Sequence, residues 1–358
     1  MRPFRFSILI TIVPIAAACG DDAASSDGDG TGAATGPGAT TTAAAGPGAT
    51  SSSSGAGGEA EGGGGGGGAP PTGTAVLVAV GYGGRRTSSL DGVTWENDVI
   101  VDPNGGDDDN LFRGVGFGND TFVAVGGAAV GQIATSTDGA TWTFQAPVSS
   151  WLGDVAYQNG VFVTAGGNGL RLRSTDGGVT WTDDAGYYAG HFRGIAAGNG
   201  VFVAAGHTYG GGDVGLISTT TDGVTWTPEQ TGGGTFGSIA FGAGVFVAVG
   251  NDRCSVSSDG ASWSDCSIAA SDFGRVVYGA GVFAMRAGDG IYTSADGATW
   301  APLASQSPPQ GLLGQGVGMW IGGNWPDDLF ASADLASWDN VFGGTGPAFV
   351  DVQVGYVQ

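Results

Sequence analysis

Seven times between Asp91 and Trp338 the chain returns to one short phrase, an Asp-Gly turn followed by a hydroxyl residue and a tryptophan. The copies are DGVTW at Asp91, DGATW at Asp138, DGGVTW at Asp176, DGVTW at Asp222, DGASW at Asp259, DGATW at Asp296 and DLASW at Asp334. Their tryptophans, Trp95, Trp142, Trp181, Trp226, Trp263, Trp300 and Trp338, stand 37 to 47 residues apart. A repeat of that length holds a few short strands and cannot bury its own apolar surface, so each copy must stack on the next.

Upstream of the boxes lies a second shared stretch, as in FRGVGFGNDTFVAVG from Phe112, FRGIAAGNGVFVAAG from Phe192 and FGSIAFGAGVFVAVG from Phe236. Two strands around a tight turn account for it. Asn119-Asp120, Asn159-Gly160, Asn199-Gly200 and Ala243-Gly244 occupy the turn, where a positive φ is required. The following Phe-Val-Ala-Val-Gly run is apolar without alternation, as a strand covered on both faces should be. One repeat thus reads as strand A (Val115 to Phe117), strand B (Phe122 to Gly126), strand C (Ile133 to Ser136) and strand D (Thr141 to Phe144). The first repeat opens directly with strand B, Ala75 to Val80, and the chain adds a spare strand, Ala348 to Val357, after the seventh box. Pairing the two leaves no open edge at the join. The expectation is an all-β, seven-bladed β-propeller over residues 74–358, with four-stranded antiparallel blades and the C-terminal strand completing the first blade.

The S-x-D-G-x-T-W phrase resembles the Asp-box repeats of sialidases, sortilin-type receptors and photosystem II assembly factors, and the resemblance covers residues 75–358. Only Ser174 to Trp181 has the full-length box, and Asp334 is followed by leucine where the pattern has glycine. The resemblance implies a propeller in which the box is a folding element. Physics points the same way, because a turn aspartate accepts backbone N–H bonds while the tryptophan fills space between blades.

The other end of the chain has a different character. Residues 1–18 carry Arg2 and Arg5, an apolar stretch from Ile8 to Ile15 and a run of small residues before Cys19. That is the order of an export signal, and the small residues before the cysteine resemble a bacterial lipobox, which makes Cys19 the lipidation site. An ordinary cleaved signal is the alternative. Residues 19–73 are Gly, Ala, Ser, Thr and Asp with almost no large apolar side chain, so nothing there offsets chain entropy. As a random coil, such a tether has a root-mean-square span of about 40 Å. The expected localisation is therefore the cell envelope, outer membrane or cell surface, with the lipid as the sole membrane contact. The chain has no lysine, and its 33 acids give a net charge of −22, which disfavours nucleic acid by repulsion.

Chemistry-bearing residues are few. The propeller holds two glutamates, Glu96 and Glu229, and no Arg-Ile-Pro motif precedes the first box, so a sialidase mechanism lacks its parts. No catalytic residue, cofactor or metal site is assigned. Asp107, Asp108 and Asp109 read either as calcium ligands or as a solvated acidic loop, without a spaced ligand pattern around them. Cys254 and Cys266 lie at equal distances from Gly260 in the C–D turn of the fifth blade, an arrangement that favours a cross-strand disulfide.

The A–B turns and boxes share one face of the disc, and the B–C and D–A loops share the other. The second face is the varied one, with Trp151, Tyr187, Tyr188, His191, His207, Tyr209 and Trp325. Variable loops on a rigid scaffold are where binding usually resides. The residues opening strand A, namely Arg113, Asp154, Arg193, Ser238, Arg275, Gln315 and Asp351, are expected to ring the central channel. Two readings of that ring stay open: a grip on a carboxylate-bearing peptide or glycan, or Arg/Asp pairing that satisfies the channel internally. The functional expectation is a monomeric, surface-anchored binding or scaffolding module for a protein or glycan; the alternative is an exported hydrolase with an unconventional site.

Overall fold

The computed structural model describes residues 72–103, 110–183, 190–208, 214–228, 230–251, 253–288, 290–304, 307–344 and 346–358. The export signal, Cys19, nearly all of the tether, Asp107 to Asp109, Tyr187, Tyr188, Tyr209 and Glu229 lie outside those residues. Among the described residues no helix is long and apolar enough to cross a membrane.

Seven four-stranded sheets follow one another along the chain. Blade I takes strand A from Phe349–Val357 and strands B, C and D from Thr74–Gly81, Arg86–Ser89 and Trp95–Val99. Blade II runs through Phe112–Gly118, Thr121–Gly127, Gly131–Ser136 and Thr143–Phe144. Blade III is Leu152–Gln158, Val161–Gly166, Arg171–Ser174 and Thr182–Asp183. Blade IV is Gly190–Gly198, Val201–Thr208, Val214–Thr220 and Gln230–Gly233. Blade V is Ser238–Gly242, Val245–Gly250, Arg253–Ser257 and Ser264–Asp265. Blade VI is Phe273–Gly279, Val282–Ala287, Gly290–Ser294 and Ala301–Leu303, and blade VII is Leu313–Gly316, Met319–Asn324, Asp328–Ser332 and Asp339–Phe342. The A strands contact one another in cyclic order, blade VII meeting blade I and blade I meeting blade II.

The join is made as the spare strand requires. Phe349–Val357 pairs antiparallel with Thr74–Gly81 from Thr74↔Val357 to Gly81↔Phe349, so the two ends of the propeller share one sheet. Arg85 locks this junction. Its guanidinium donates to both Asp98 oxygens at 2.9 and 3.0 Å and to the Pro347 carbonyl at 2.8 Å, and it lies over the Phe349 ring at 4.4 Å. Arg86 and Arg171 stack in the same way on the blade that follows theirs, over Phe144 and Trp226.

Strand D of blade II is shorter than expected, Thr143–Phe144 instead of Thr141–Phe144, because the box aspartate holds Thr141 in the turn. In each box the Asp accepts the two N–H groups that follow the turn; for Asp138 these are Ala140 at 2.8 Å and Thr141 at 2.7 Å. In six boxes the serine or threonine two residues before the Asp bonds both to its carboxylate and to a glycine N–H, and the tryptophan Nε1 donates to that glycine's carbonyl, as in the box of Asp138; in the seventh Trp338 Nε1 donates to the Leu335 carbonyl. Asp176, bonded first by the Thr180 hydroxyl, and Asp259, bonded first by the Ser262 N–H, are drawn down to about 2.

The same boxes make the blade junctions. Seven apolar clusters lie between successive blades, and each contains one box tryptophan, from Trp95 beside Ile321 of blade VII to Trp338 beside Ala284 of blade VI. Box glycines abut strand B of the preceding blade: Gly139 against Val78, Gly178 against Val123, Gly223 against Val163, Gly260 against Val203, Gly297 against Val247 and Gly92 against Ile321. A Cβ at Gly260 would stand 2.6 Å from Val203, closer than real side chains approach. The seventh box reverses the pair. Leu335 stands where the glycine should be, at φ 63°, and the facing residue in blade VI is Ala284, where the other blades carry valine or isoleucine. Leu335 is 3% exposed and Ala284 fully buried, so the leucine side chain takes the space that the alanine leaves.

Candidate functional site

Register decides where the strand A residues point. In blade II Phe112 pairs with Gly126 and Gly114 with Val125, so Arg113 is the extra residue of a β-bulge; Arg193 holds the same place in blade IV, between Phe192↔Gly206 and Gly194↔Ala205. A bulged residue leaves the alternation of the strand and is re-aimed. One residue further on, opposite Val125 and its counterparts, stand Gly114, Asp154, Gly194, Ser238 and Asp351, while Arg275, directly before the Val276↔Met285 pair, and Leu312, directly before Leu313↔Gly322, hold the same place in blades VI and VII. Gln315 pairs with Trp320 as Phe117 pairs with Phe122, which sets it at the box end of the channel. The single ring expected from sequence is thus corrected to three levels: Arg113 and Arg193 at the mouth on the loop face, Asp154, Ser238, Arg275 and Asp351 in the middle, and Gln315 below.

The middle level is bound into the fold. Strand A is the inner edge of each blade, so its inward N–H groups lack a ladder partner. Asp351 accepts from Val352 at 2.7 Å and from Val115 of the next blade at 2.8 Å. Asp154 accepts from Val155 at 2.8 Å and, at 3.5 Å, from Ile195 of the next blade. The Ser238 hydroxyl meets the Val276 N–H at 3.3 Å. Arg275 forms an ion pair with Asp351 and donates to the Val350 carbonyl, reaching past blade VII, which offers only Leu312 at this height. Burial raises the pKa of Asp351, and burial followed by the charge of Asp351 pushes Asp154 up to about 7. Of the two readings of the ring, internal pairing describes Arg275 and Asp351.

This level divides the channel. Below it is a cavity of about 120 Å³, lined by Phe117, Tyr157, Phe241, Tyr278, Gln315 and Gln353 among others. Above it a funnel of about 490 Å³ opens on the loop face, with Arg113 and Arg193 on its wall, Asp154, Ser238 and Arg275 at its floor, and Tyr82, Asn324 and Trp325 at its rim. Blade III presents Trp151 so that the Arg113 and Arg193 guanidinium groups of the two flanking blades lie over its ring, with centroid distances of 5.2 and 4.8 Å. Arg113 also donates to the Gly127 carbonyl at 3.2 Å. Gly167 makes room for the indole, since a Cβ there would strike it.

His191 lies 5.0 Å from the Trp151 ring and 5.5 Å from its cross-strand neighbour His207. Burial first, then Arg193 and His207, holds His191 down at about 4, so it is neutral near pH 7. Trp325 is 72% exposed, with its ring edge-on to Tyr82 at 5.8 Å. Tyr82, Asn324 and the Phe349–Val350 backbone were not singled out from sequence; Tyr82 sits in the B–C turn of blade I, where the loop-face argument points. Glu96 is exposed beside the box of blade I, away from the funnel. Cys254, on strand C of blade V, and Cys266, one residue past its strand D, form a disulfide. Among the described residues no group of three or more His, Cys, Asp or Glu side chains is placed to hold a metal ion.

No known protein family matches the chain, and no curated protein matches it. Among solved structures it is similar to YCF48 bound to D1 peptide, at 20% identity over 63% of this chain and 79% of that one, with a TM-score of 0.47. YCF48 from Cyanidioschyzon merolae has 16% identity over 70% and 94% of the two chains, and a chain of a nidogen/laminin complex 11% over 79% and 99%, both also at a TM-score of 0.47. The seven-bladed arrangement itself stands on the strand pairing of this chain.

Proposed function

We propose that the protein is a binding module, held at the cell envelope by a lipid on Cys19, whose loop-face funnel seats a carboxylate-bearing segment of a protein or glycan. The observation that carries this reading is the pair of guanidinium groups, Arg113 and Arg193, oriented by one indole on the wall of a 490 Å³ funnel. The indole holds both guanidinium groups beside the funnel, and Arg is suited to carboxylates through paired hydrogen bonds. Trp325 and Tyr82 on the rim supply apolar surface for the rest of the ligand.

The test is a titration with acetyl-Ala-Ala-Glu-Ala bearing a free terminal carboxylate, with its diamide analogue lacking both carboxylates, and with uronic-acid oligosaccharides. Carboxylated probes should bind, the neutral ones should not, and Arg113→Ala with Arg193→Ala should weaken binding at least tenfold, about 1.4 kcal/mol. Equal affinity for charged and neutral probes would discard the funnel as an anion seat. Radiolabelled palmitate incorporation, abolished by Cys19→Ser, tests the anchor.

A further inference from the structure

We propose that anion binding in the funnel is coupled to the uptake of one proton by Asp154. This rests on the funnel reading above and adds its regulation. Asp154 and Arg275 line both the funnel and the cavity beneath it, so the Asp154 carboxyl belongs to the floor on which an anion would sit. The lumen encloses two carboxylates and one guanidinium at this level, and the guanidinium is paired with the other carboxylate, Asp351. Asp154 has the Val155 N–H at 2.8 Å and a long bond from Ile195 at 3.5 Å. Gly114 allows the approach, because a Cβ there would lie 2.5 Å from Asp154 Oδ1.

The groups facing Asp154 are few. Strand B of its own blade carries no titratable residue, and its own strand adds only Tyr157. Blade II contributes Arg113, blade IV contributes Arg193 and the neutral His191, and across the lumen stand Arg275 and Asp351. Blades V and VII bring Ser238, Leu312 and Gln315, without charge. A carboxyl that burial and Asp351 hold up to about 7 changes its charge in the working range of pH. An anion placed above it adds one more negative charge beside the carboxyl, which favours the protonated form. By reciprocity, protonation strengthens anion binding.

The experiment uses the full chain and the free-carboxylate peptide acetyl-Ala-Ala-Glu-Ala. Affinity should fall about five- to tenfold between pH 6 and pH 8.5. Calorimetry at pH 7 in two buffers of different ionisation enthalpy should show net proton uptake of about half an equivalent, the value for a group titrating near that pH. In Asp154→Asn, and in Asp154→Ser, which reproduces the Ser238 arrangement of blade V, the affinity should lose this pH dependence and the uptake should vanish. A wild-type affinity that is flat in pH, or a slope that survives in the variant that folds, would overturn the coupling while leaving the anion seat intact. Peptide binding at no pH would overturn the seat, and the coupling with it.

Discussion

The exchange of glycine for leucine in the seventh box gives the sharpest test of how this ring is packed. Leu335→Ala removes a side chain that is 3% exposed and keeps the left-handed backbone at φ 63°. Core leucine-to-alanine changes cost about 2 to 5 kcal/mol, and about 3 is expected here. Leu335→Gly loses the same packing but relieves about 1 kcal/mol of backbone strain, for a net loss near 2. Ala284→Val alone puts two methyl groups into space already filled and should cost about 2 kcal/mol. The double variant Ala284→Val/Leu335→Gly recreates the arrangement of the other six junctions and should fall within about 1 kcal/mol of the parent, a coupling energy of about 3 kcal/mol. Reversible urea unfolding, followed by tryptophan fluorescence and circular dichroism with coincident transitions, gives the four free energies. A double variant as unstable as the sum of the two single ones would refute the reasoning.

Other tests address the channel, the join and the disulfide. Between the ordinary carboxyl value of about 4 and its own value of about 7, Asp154 holds a proton that the unfolded chain has lost, so its contribution to stability declines as pH rises through that window. The box aspartates have the opposite sign, and their stabilisation is lost as pH falls from about 4 toward 2. His191, held down at about 4, gains stability between about pH 4 and 6.5 and so opposes Asp154 there. The Asp154 contribution is therefore read against Asp154→Asn, the urea midpoint of the wild type falling relative to that variant as pH rises from about 5 to 8, and parallel profiles would contradict this. Arg85→Ala should cost about 2 to 3 kcal/mol, chiefly by leaving the Pro347 carbonyl without its donor and Phe349 uncovered, since Asp98 is exposed to water, and Arg85→Lys should restore little of it. Deleting residues 349–358 exposes both the edge of Thr74–Gly81 and the flanks of two blades, so the truncated chain should oligomerise or fail to fold in size-exclusion chromatography. Cys254→Ser with Cys266→Ser should lower stability by about 2 to 3 kcal/mol, the entropy of a loop of this length.

The repeat made most of the fold legible before any coordinates. Blade number, strand order, the shared first blade and the junction role of the tryptophans follow from seven boxes, a missing first strand and a spare last one. Boundaries were off by one to three residues, because box aspartates hold residues in the turn and bulges lengthen strand A. The channel was legible only as a set of names. Arg113, Asp154 and Gln315 look equivalent in the repeat, yet a single bulge separates Arg113 from the level of Asp154, and blades III and VII lack the phenylalanine that marks the start of strand A in the other five.

What the sequence by itself determined is the repeating sheet: local turns, apolar runs and their period specify a blade without reference to distant residues. Only the tertiary structure decided which blade meets which side chain. The pairing of Arg275 with Asp351 across blade VII, the approach of Asp154 over Gly114 and the filling of the Ala284 space by Leu335 join residues of different repeats. Such pairs arise from the closure of the ring, and closure is a geometric condition on all seven blades at once that no single repeat encodes.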